Sequence, residues 1–163
     1  MPRVGILTVS DRSSAGSRSD ASGPALESRL AGAGLTVSIS AVVPDEVQRI
    51  REVLILWADM EALDLILTTG GTGVSPRDVT PEATTEVLTR LIPGMAEVMR
   101  AVSMGKTPHA MISRAVAGVR GRTLIINLPG SPKGAIENLE AVLPAIPHAI
   151  AKIQGDPSDC AQN

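Results

Sequence analysis

Aromatic residues are almost absent from this chain of 163 residues: Trp57 is the only one, and there is no Tyr or Phe. Proteins that bind single-stranded nucleic acid stack bases on aromatic side chains, so this composition argues against that class. The net charge of −2 and the lack of a basic block argue equally against a surface for duplex DNA. The core must therefore be built from aliphatic side chains and the six methionines.

Cysteine and long apolar runs are equally scarce. The single Cys160 can form no disulfide within the chain, which is typical of proteins in a reducing compartment. No apolar stretch approaches the roughly 20 residues of a membrane span, and the N-terminal residues form a strand pattern without signal-peptide features. We therefore expect a cytoplasmic protein that does not engage membranes.

Short apolar runs alternate with amphipathic stretches, which predicts an α/β fold with a mostly parallel sheet. The strict alternation of residues 35–43 predicts a half-buried strand and suggests that it lies at an edge. Further strands are predicted at 4–9, 63–68 and 122–128. Helices are predicted from Ser22, from Asp45, over 81–91, over 95–104 and from Ser131, the last one interrupted by Pro144 and Pro147. We assign residues 1–155 to one domain and 156–163 to a flexible tail.

The most informative segment is the run T-T-G-G-T-G-V-S-P-R-D-V-T-P-E-A at residues 68–83. It connects a predicted strand to a predicted helix that starts at Thr80, as its N-cap, and Pro81. Glycines let a backbone approach a ligand closely and direct its N–H groups at a phosphate. Many such turns only reverse the chain, and this run fits neither of the standard phosphate-binding motifs. The presence of Arg77 and Asp78 in the same loop favours ligand binding.

Polar residues follow each of the predicted parallel strands. In α/β sheets ligands bind beyond the carboxyl ends of the strands, so we expect these residues to form one cleft. They are Ser10 and Asp11, Pro44 and Asp45, the glycine loop, and Pro129, Gly130 and Ser131. Asp11, Asp45 and Asp78 follow different strands, and two or more of them can hold a Mg²⁺ ion that bridges phosphate oxygens.

The carboxylates also have structural interpretations. Asp45, with Gln48 three residues later, fits a capping box at a helix start. Asp11 and Asp20 fit turn positions. A capping aspartate can serve a site as well only if one of its oxygens stays free, so both interpretations of Asp45 remain open.

The other candidate residues also have a structural interpretation beside the functional one. Ser131, which precedes Pro132, fits a helix N-cap, whereas together with Lys133 and the helix-start N–H groups it fits a second anion site. Arg77 is either a phosphate clamp or a solvated loop charge. The two histidines lack the spacing of zinc ligands, and no serine-hydrolase motif is present. A Mg²⁺-assisted reaction on a phosphate is the chemistry that remains.

Residues 69–83 resemble the corresponding run of the molybdopterin adenylyltransferase family. That family includes the bacterial Mog and MoaB-type proteins and the matching domain of plant and animal molybdenum-cofactor synthesis proteins. Further matches occur in chain order: Thr8-Val9-Ser10-Asp11, Asp20 with Ser22-Gly23, Pro44-Asp45-Glu46, Pro93-Gly94 with Glu97 and Arg100, and residues 124–133. Each motif is short, but their order along one chain is a strong signal.

The resemblance implies a three-layer α/β/α sandwich, usually a homotrimer, and an enzyme that adenylylates molybdopterin with ATP and Mg²⁺ and releases pyrophosphate. The product would pass to a metal-insertion protein. Asp45 and Asp78 would be the catalytic and metal-binding pair. The nucleotide would lie against Thr69, Gly70, Gly71, Thr72 and Gly73. The cleft for molybdopterin would be lined by Ser10, Asp11, Asp20, Ser22, Arg77, Pro129, Gly130, Ser131 and Lys133.

Two further hypotheses are compatible with the same fold. The first is a protein that holds or delivers molybdopterin without chemistry, and the second is a trimeric scaffold. The intact acids Asp45 and Asp78 favour the enzyme, because a pure binder or scaffold has no need of two carboxylates beside an anionic ligand.

Overall fold

The computed structural model of the protein describes residues 1–160 and has a six-stranded sheet at its centre. The strand order is β2-β1-β3-β6-β5-β4. The first four strands in this order run parallel, whereas β5 is antiparallel to both of its neighbours. The strands are β1 (Arg3–Val9), β2 (Thr36–Val43), β3 (Leu65–Thr69), β4 (Arg90–Leu91), β5 (Ala117–Arg120) and β6 (Thr123–Leu128). The predicted α/β fold with a mostly parallel sheet is confirmed.

Helices occupy most of the connections between the strands. They are α1 (Asp11–Ser14), α2 (Ser22–Gly32), α3 (Val47–Ile55), α4 (Thr80–Val87), α5 (Pro93–Met104), α6 (Pro132–Val142) and α7 (Ile146–Ile153). A π-helical turn over Leu56–Met60 extends α3, and a 3₁₀ turn over Leu143–Ala145 separates α6 from α7. Pro144 and Pro147 therefore interrupt the last helix as predicted. No helix among the described residues is long and apolar enough to cross a membrane.

The central strands β1, β3 and β6 are buried on both faces because helices cover the sheet from both sides. On one face Ile6 and Leu67 pack into a cluster with side chains of α2, α5, α6 and α7. On the other face Leu7 and Ile66 pack against α3, α4 and Trp57. These three layers are the sandwich that the family resemblance implies. Completely buried aliphatic side chains make up nearly all of the core, as the composition requires.

The edge position of β2 is confirmed. This strand pairs only with β1 among residues 1–160, and its burial alternates along its length. Val37, Ile39 and Ala41 are partly buried, whereas the intervening Thr36 and Ser38 are exposed. When just one face of a strand is covered, the burial of its side chains alternates with a period of two residues.

The middle of the chain departs from the predictions in two places. The helix predicted over 81–91 ends at Val87, because Leu88 adopts an extended backbone and residues 90 and 91 form β4. Strand β5 was not predicted, since it has only four residues and contains Gly118. A side chain at Gly118 would collide with the backbone oxygen of Arg90, so the glycine permits the close pairing of β5 with β4.

The predicted division at residue 155 stays a prediction. Beyond α7, Lys152 lies 3.6 Å from a carboxylate oxygen of Asp156, and the hydroxyl of Ser158 donates to the same side chain at 2.6 Å. Residues 161–163 of the predicted tail lie outside the described residues.

Candidate functional site

A cavity of about 600 Å³ lies at the carboxyl edge of the parallel strands. The chain leaves β1 toward one edge of the sheet to form β2, and then crosses back to place β3 on the other side of β1. This reversal is the position at which doubly wound sheets bind ligands. The loops after β1, β2, β3 and β6 all contribute to the cavity, as the sequence predicted.

Most of the predicted site residues line this first cavity. They are Ser10, Asp11, Asp20, Ser22, Asp45, Thr69, Gly70, Gly71, Arg77, Asp78, Gly130 and Ser131. Thr72, Gly73 and Pro129 line a second cavity of about 280 Å³ instead. Lys133 lines neither cavity, so the structure does not bring it together with the other predicted residues.

The glycine turn after β3 is held closely against its neighbours. Gly70 and Gly71 have φ values of +101° and +68°, which L side chains rarely adopt. A side chain at Gly70 would collide with the backbone oxygen of Val9, and one at Gly71 would collide with the hydroxyl of Thr80. The N–H groups of residues 71–73 donate to no backbone oxygen within the described chain. They are therefore available to an anionic ligand.

Thr80 does not cap α4, although the sequence predicted that it would. The helix begins at Thr80 itself, and the residue before it makes no side-chain cap. The Thr80 hydroxyl donates to the backbone oxygen of Gly70 at 2.9 Å. Thr69 likewise donates to the backbone oxygen of Pro129 at 2.6 Å, which joins the glycine turn to the loop after β6.

The capping box predicted at Asp45 is also absent. Glu46 is extended, so α3 begins at Val47, and the side chain of Gln48 donates to Glu52 instead. The carboxylate of Asp45 accepts the backbone N–H of Asp11 at 2.8 Å. In return the carboxylate of Asp11 accepts the backbone N–H of Asp45 at 2.9 Å. The side chain of Asp45 therefore points to the cavity and leaves the helix start uncapped.

Asp11 is neutralised by Arg77. The guanidinium donates to both carboxylate oxygens of Asp11, from Nε and from Nη2, each at 3.0 Å. This pair holds the pKa of Asp11 below its ordinary value, and the hydrogen bond from Asp45 N–H lowers it further. Arg77 thus positions Asp11 while its own side chain stays 60% exposed at the cavity.

Asp45 has the opposite electrostatic environment. Burial raises its pKa, and the negative charges of Asp11 and Asp78 raise it further. Oδ1 of Asp45 accepts no hydrogen bond within residues 1–160, since the bond from Asp11 uses Oδ2. Asp78 accepts the N–H of Ser75 on Oδ2 at 3.0 Å and likewise keeps Oδ1 free. Both acids therefore line the first cavity, and each keeps one oxygen without a hydrogen-bond partner among the described residues.

Asp20 lines the cavity, but both of its oxygens have partners. Oδ2 accepts the hydroxyl of Thr8 at 2.8 Å, and Oδ1 accepts the N–H of Gly23 at 3.0 Å and the hydroxyl of Ser22 at 3.4 Å. A side chain at Gly23 would collide with this carboxylate. Asp20 therefore fixes the start of α2 to the end of β1, as its turn interpretation suggested.

Ser131 caps α6 as the structural interpretation predicted. Its hydroxyl accepts the N–H of Gly134 at 3.1 Å, with Pro132 in the first turn of the helix. The positive end of the α6 dipole thus faces the first cavity, where it favours an anion.

Several residues at this site were missed by sequence reasoning. Arg114, some 40 positions after the glycine loop, donates to the backbone oxygens of Gly73 at 2.7 Å and Asp78 at 2.8 Å, and it pairs with Glu82. Nothing in the local sequence around Arg114 indicates this role. Arg12 and Arg18 line the first cavity, and their guanidinium groups form no ion pair with another described residue. Their only signal was a positive charge in the loop that follows β1.

The donor set fits a Mg²⁺ ion bound together with phosphates. In the part of the chain that the structure describes, no group of three or more His, Cys, Asp or Glu side chains converges on a metal position. Mg²⁺ at phosphate-handling sites is usually held by one or two carboxylates, with water and substrate oxygens completing its shell. Asp45 and Asp78, each with a free oxygen, match that requirement.

Comparisons with known proteins agree with this arrangement. Residues 5–148 match the family model described as a probable molybdopterin binding domain. The molybdopterin adenylyltransferase of Helicobacter pylori is 44% identical, over 94% of this chain and 88% of that protein. Gephyrin of Dictyostelium discoideum is 46% identical over 94% of this chain, which spans only 23% of gephyrin. The crystal structure of the molybdopterin biosynthesis enzyme MoaB from Thermus thermophilus is 60% identical, with a TM-score of 0.91, over 98% of this chain and 100% of that one.

Proposed function

The chain belongs to the molybdopterin-binding domain family of molybdenum cofactor biosynthesis, and on that premise we propose that it transfers the adenylyl group of ATP to molybdopterin and releases pyrophosphate. The observation that carries this proposal is the pair Asp45 and Asp78, which line one cavity beside the glycine turn and each keep one oxygen free of hydrogen bonds among the described residues. The activity named for the Helicobacter pylori relative supports it.

The first cavity has the groups that a nucleotide and a second phosphate need. The free N–H group of Gly71 and the N-terminus of α6 lie at the first cavity, on the side formed by β3 and β6. Arg12, Arg18 and Arg77 supply positive charge on the side formed by β1. Two phosphate-bearing substrates can therefore be held close together, and this proximity supplies much of the catalysis in phosphoryl and nucleotidyl transfer.

Asp45 and Asp78 would hold the Mg²⁺ ion. When bound, the ion neutralises phosphate oxygens and polarises the phosphorus that is attacked. Asp45 suits this role because its carboxylate is anchored by the N–H of Asp11 and repelled by its acidic neighbours. Asp11 itself is less suited, since Arg77 occupies both of its oxygens.

The proposed reaction needs no covalent intermediate on the protein. A phosphate oxygen of molybdopterin attacks the α-phosphorus of ATP, and the bond from that phosphorus to the oxygen leading to the β-phosphate breaks. Pyrophosphate departs with the bonding electrons. The residues of this chain align the two phosphates and stabilise the charge that develops on them. We propose that a metal-insertion protein consumes the adenylylated product in the cytoplasm.

We further propose that the protein assembles as a homotrimer through an apolar strip between residues 91 and 112. Exposed apolar side chains are concentrated there, and on α5 the pair Val98 and Val102 lies one helical turn apart on one face. The strip consists of Leu91, Val98, Val102, Met104, Met111 and Ile112, which are 43–63% exposed in the single chain. Exposed apolar side chains gathered in one part of a protein often mark a protein–protein contact.

A turnover assay tests the activity. Purified protein is mixed with molybdopterin, ATP and Mg²⁺, and adenylylated pterin and pyrophosphate are both quantified. The enzyme produces them in equal amounts. Tight binding of molybdopterin without either product would instead establish a carrier, and absence of binding to both substrates would leave only the scaffold hypothesis.

A further inference from the structure

Asp78 lies at the end of an exposed loop. Residues 74–77 are exposed, and only Gly73 and Asp78, at the two ends of the loop, are partly buried. Burial of apolar side chains therefore contributes little to the conformation of this segment. A loop of this kind opens locally at a small cost in free energy unless hydrogen bonds hold it. The position of the Asp78 carboxylate thus depends on the hydrogen bonds of the loop.

Two of these bonds lie within the loop itself. The N–H of Asp78 donates to the backbone oxygen of Ser75 at 2.9 Å, and Oδ2 of Asp78 accepts the N–H of Ser75 at 3.0 Å. These bonds fix the shape of the turn but not its position on the protein. Among the described residues, the backbone of residues 73–78 is hydrogen-bonded to the rest of the chain only through Arg114.

The guanidinium of Arg114 holds both ends of the loop. Nε donates to the backbone oxygen of Gly73 at 2.7 Å, and Nη2 donates to that of Asp78 at 2.8 Å. Neither oxygen accepts a backbone N–H within residues 1–160. Nη1 pairs with Glu82 in the first turn of α4. The three nitrogens of one rigid, planar group therefore have three separate partners, an arrangement that the compact ammonium of a lysine does not reproduce.

The backbone that carries Arg114 is itself fixed. Arg100 on α5 donates from Nη1 to the backbone oxygens of both neighbours of Arg114, at 3.4 Å to Ser113 and at 2.9 Å to Ala115. The N–H of Arg114 donates to the backbone oxygen of Thr72 at 2.8 Å. The guanidinium is thus presented to the loop from a well-supported segment.

The grip of Arg114 reaches the carboxylate through Gly73. A side chain at Gly73 would lie 2.8 Å from Oδ2 of Asp78, so the backbone of Gly73 packs directly against that carboxylate. A shift of either carbonyl group held by Arg114 would therefore displace the acid that lines the first cavity.

From this geometry, and resting on the proposed function, we propose that Arg114 is a positioning residue for the metal-binding carboxylate of Asp78. Arg114 lines neither cavity, so it acts through the loop. Residues that orient a metal ligand from behind typically contribute a factor of about 10–100 to metal affinity. Arg114 is expected to act on the affinity for the metal in this way.

Hydrogen exchange of the loop provides the first test, because it needs neither substrate nor metal. In Arg114→Ala the amides of residues 73–79 should exchange at least about tenfold faster than in the unaltered protein. Arg120→Ala is the matched control. Arg120 also pairs with a carboxylate, that of Asp59, and donates to a backbone oxygen, that of Val87 at 2.9 Å, but it lines neither cavity. The control should leave exchange of the loop unchanged.

Metal affinity provides the second test. The probe is Mn²⁺ in the presence of α,β-methylene-ATP, with free Mn²⁺ followed by electron paramagnetic resonance. Arg114→Ala and Arg114→Lys should both bind Mn²⁺ at least about tenfold more weakly than the unaltered protein, whereas Arg120→Ala should stay within about twofold. Arg114→Lys keeps the charge and most of the stem, so it keeps the measurement possible if the alanine variant does not fold.

Rescue by a small cation separates the bridging role from a loss of stability. Ethylguanidinium replaces the atoms that Arg114→Ala removes, so it should restore both slow exchange of the loop and Mn²⁺ affinity. Propylammonium supplies the charge without the planar group and should restore neither.

Several results would overturn the inference while leaving the proposed activity of the unaltered protein intact. They are unchanged exchange of the loop in Arg114→Ala, unchanged Mn²⁺ affinity in the Arg114 variants, an equal loss of affinity in Arg120→Ala, and rescue by neither cation or by both equally. If the unaltered protein bound no Mn²⁺ with the nucleotide and formed no product, the proposed function would fail and this inference with it.

Discussion

A side chain on Gly71 would lie 3.1 Å from Oδ1 of Asp45, and it would collide with the hydroxyl of Thr80 on its other side. The glycine turn and the acid that we assign to the metal are therefore packed against each other with no room for a methyl group. Because Gly71 also has a φ of +68°, both its backbone conformation and its surroundings require glycine.

Gly71→Ala should destabilise the protein by about 2–4 kcal/mol, since left-handed strain and overpacking add. Gly16→Ala is the matched control. Gly16 has a similar φ of +77°, but nothing lies within 4 Å of its missing side chain. It should cost only the strain, about 1 kcal/mol. Urea unfolding measures both values. Equal losses in the two variants would show that the contact with Asp45 and Thr80 is unimportant.

Asp45→Asn should separate stability from activity. The asparagine keeps an oxygen for the N–H of Asp11 and removes a partly buried charge that two other acids repel. We expect a melting temperature equal to or above that of the unaltered protein, with turnover reduced by at least about a hundredfold because a metal-ligand charge is lost. Glu52→Gln, an exposed change on α3, should affect neither. A less stable but fully active Asp45→Asn variant would contradict the assignment.

The difference in stability between Asp45→Asn and the unaltered protein should also depend on pH in a defined direction. Burial raises the pKa of Asp45 above 3.8, the ordinary value of an aspartate, so its ionised form destabilises the fold. The unaltered protein has its full stability while Asp45 is protonated, and it loses stability as the pH rises through the pKa of Asp45 in the folded state. The free energy of unfolding of Asp45→Asn minus that of the unaltered protein should therefore grow as the pH rises above 3.8.

Urea titrations at several pH values give this difference directly. The pKa of Asp11 is lowered by Arg77, so its stabilising contribution is lost only as the pH falls below about 3.8 in both proteins. A difference that stays constant with pH would mean that Asp45 does not carry the unfavourable charge.

Val102→Glu should disrupt the proposed trimer. The side chain is 43% exposed on α5, and a carboxylate there would be buried without a partner in an apolar contact. Sedimentation velocity should show trimers for the unaltered protein and monomers for the variant at the same concentration. Leu56→Glu alters a side chain of similar exposure outside the strip and should remain trimeric. A monomeric unaltered protein would refute the assembly.

Periodicity and strand order predicted the α/β class, the mostly parallel sheet and the position of the cleft, whereas the three layers were implied only by the family resemblance. Strands β1, β3 and β6 are continuous apolar runs, and the loops after them carry the polar residues. Strand β5 escaped prediction because four residues containing a glycine have no period to detect, and β4 because it follows a helix directly.

Local sequence patterns were least reliable where tertiary contacts compete with them. Asp45 fits a capping box, yet its carboxylate accepts the N–H of Asp11 from another strand end, and the helix starts two residues later. Arg114 shows the opposite case, since its bonds to the glycine loop join segments some 40 residues apart. Such long-range contacts follow from the folded structure and leave no local signature.

The most direct test of the central claim compares turnover of the unaltered protein with that of Asp78→Asn. The variant keeps an oxygen to accept the N–H of Ser75, so the loop should stay in place while the charge facing the cavity is lost. With molybdopterin, ATP and Mg²⁺, we expect adenylylated pterin and pyrophosphate from the unaltered protein and a loss of at least about a hundredfold in the variant. Turnover by Asp78→Asn equal to that of the unaltered protein would contradict the account.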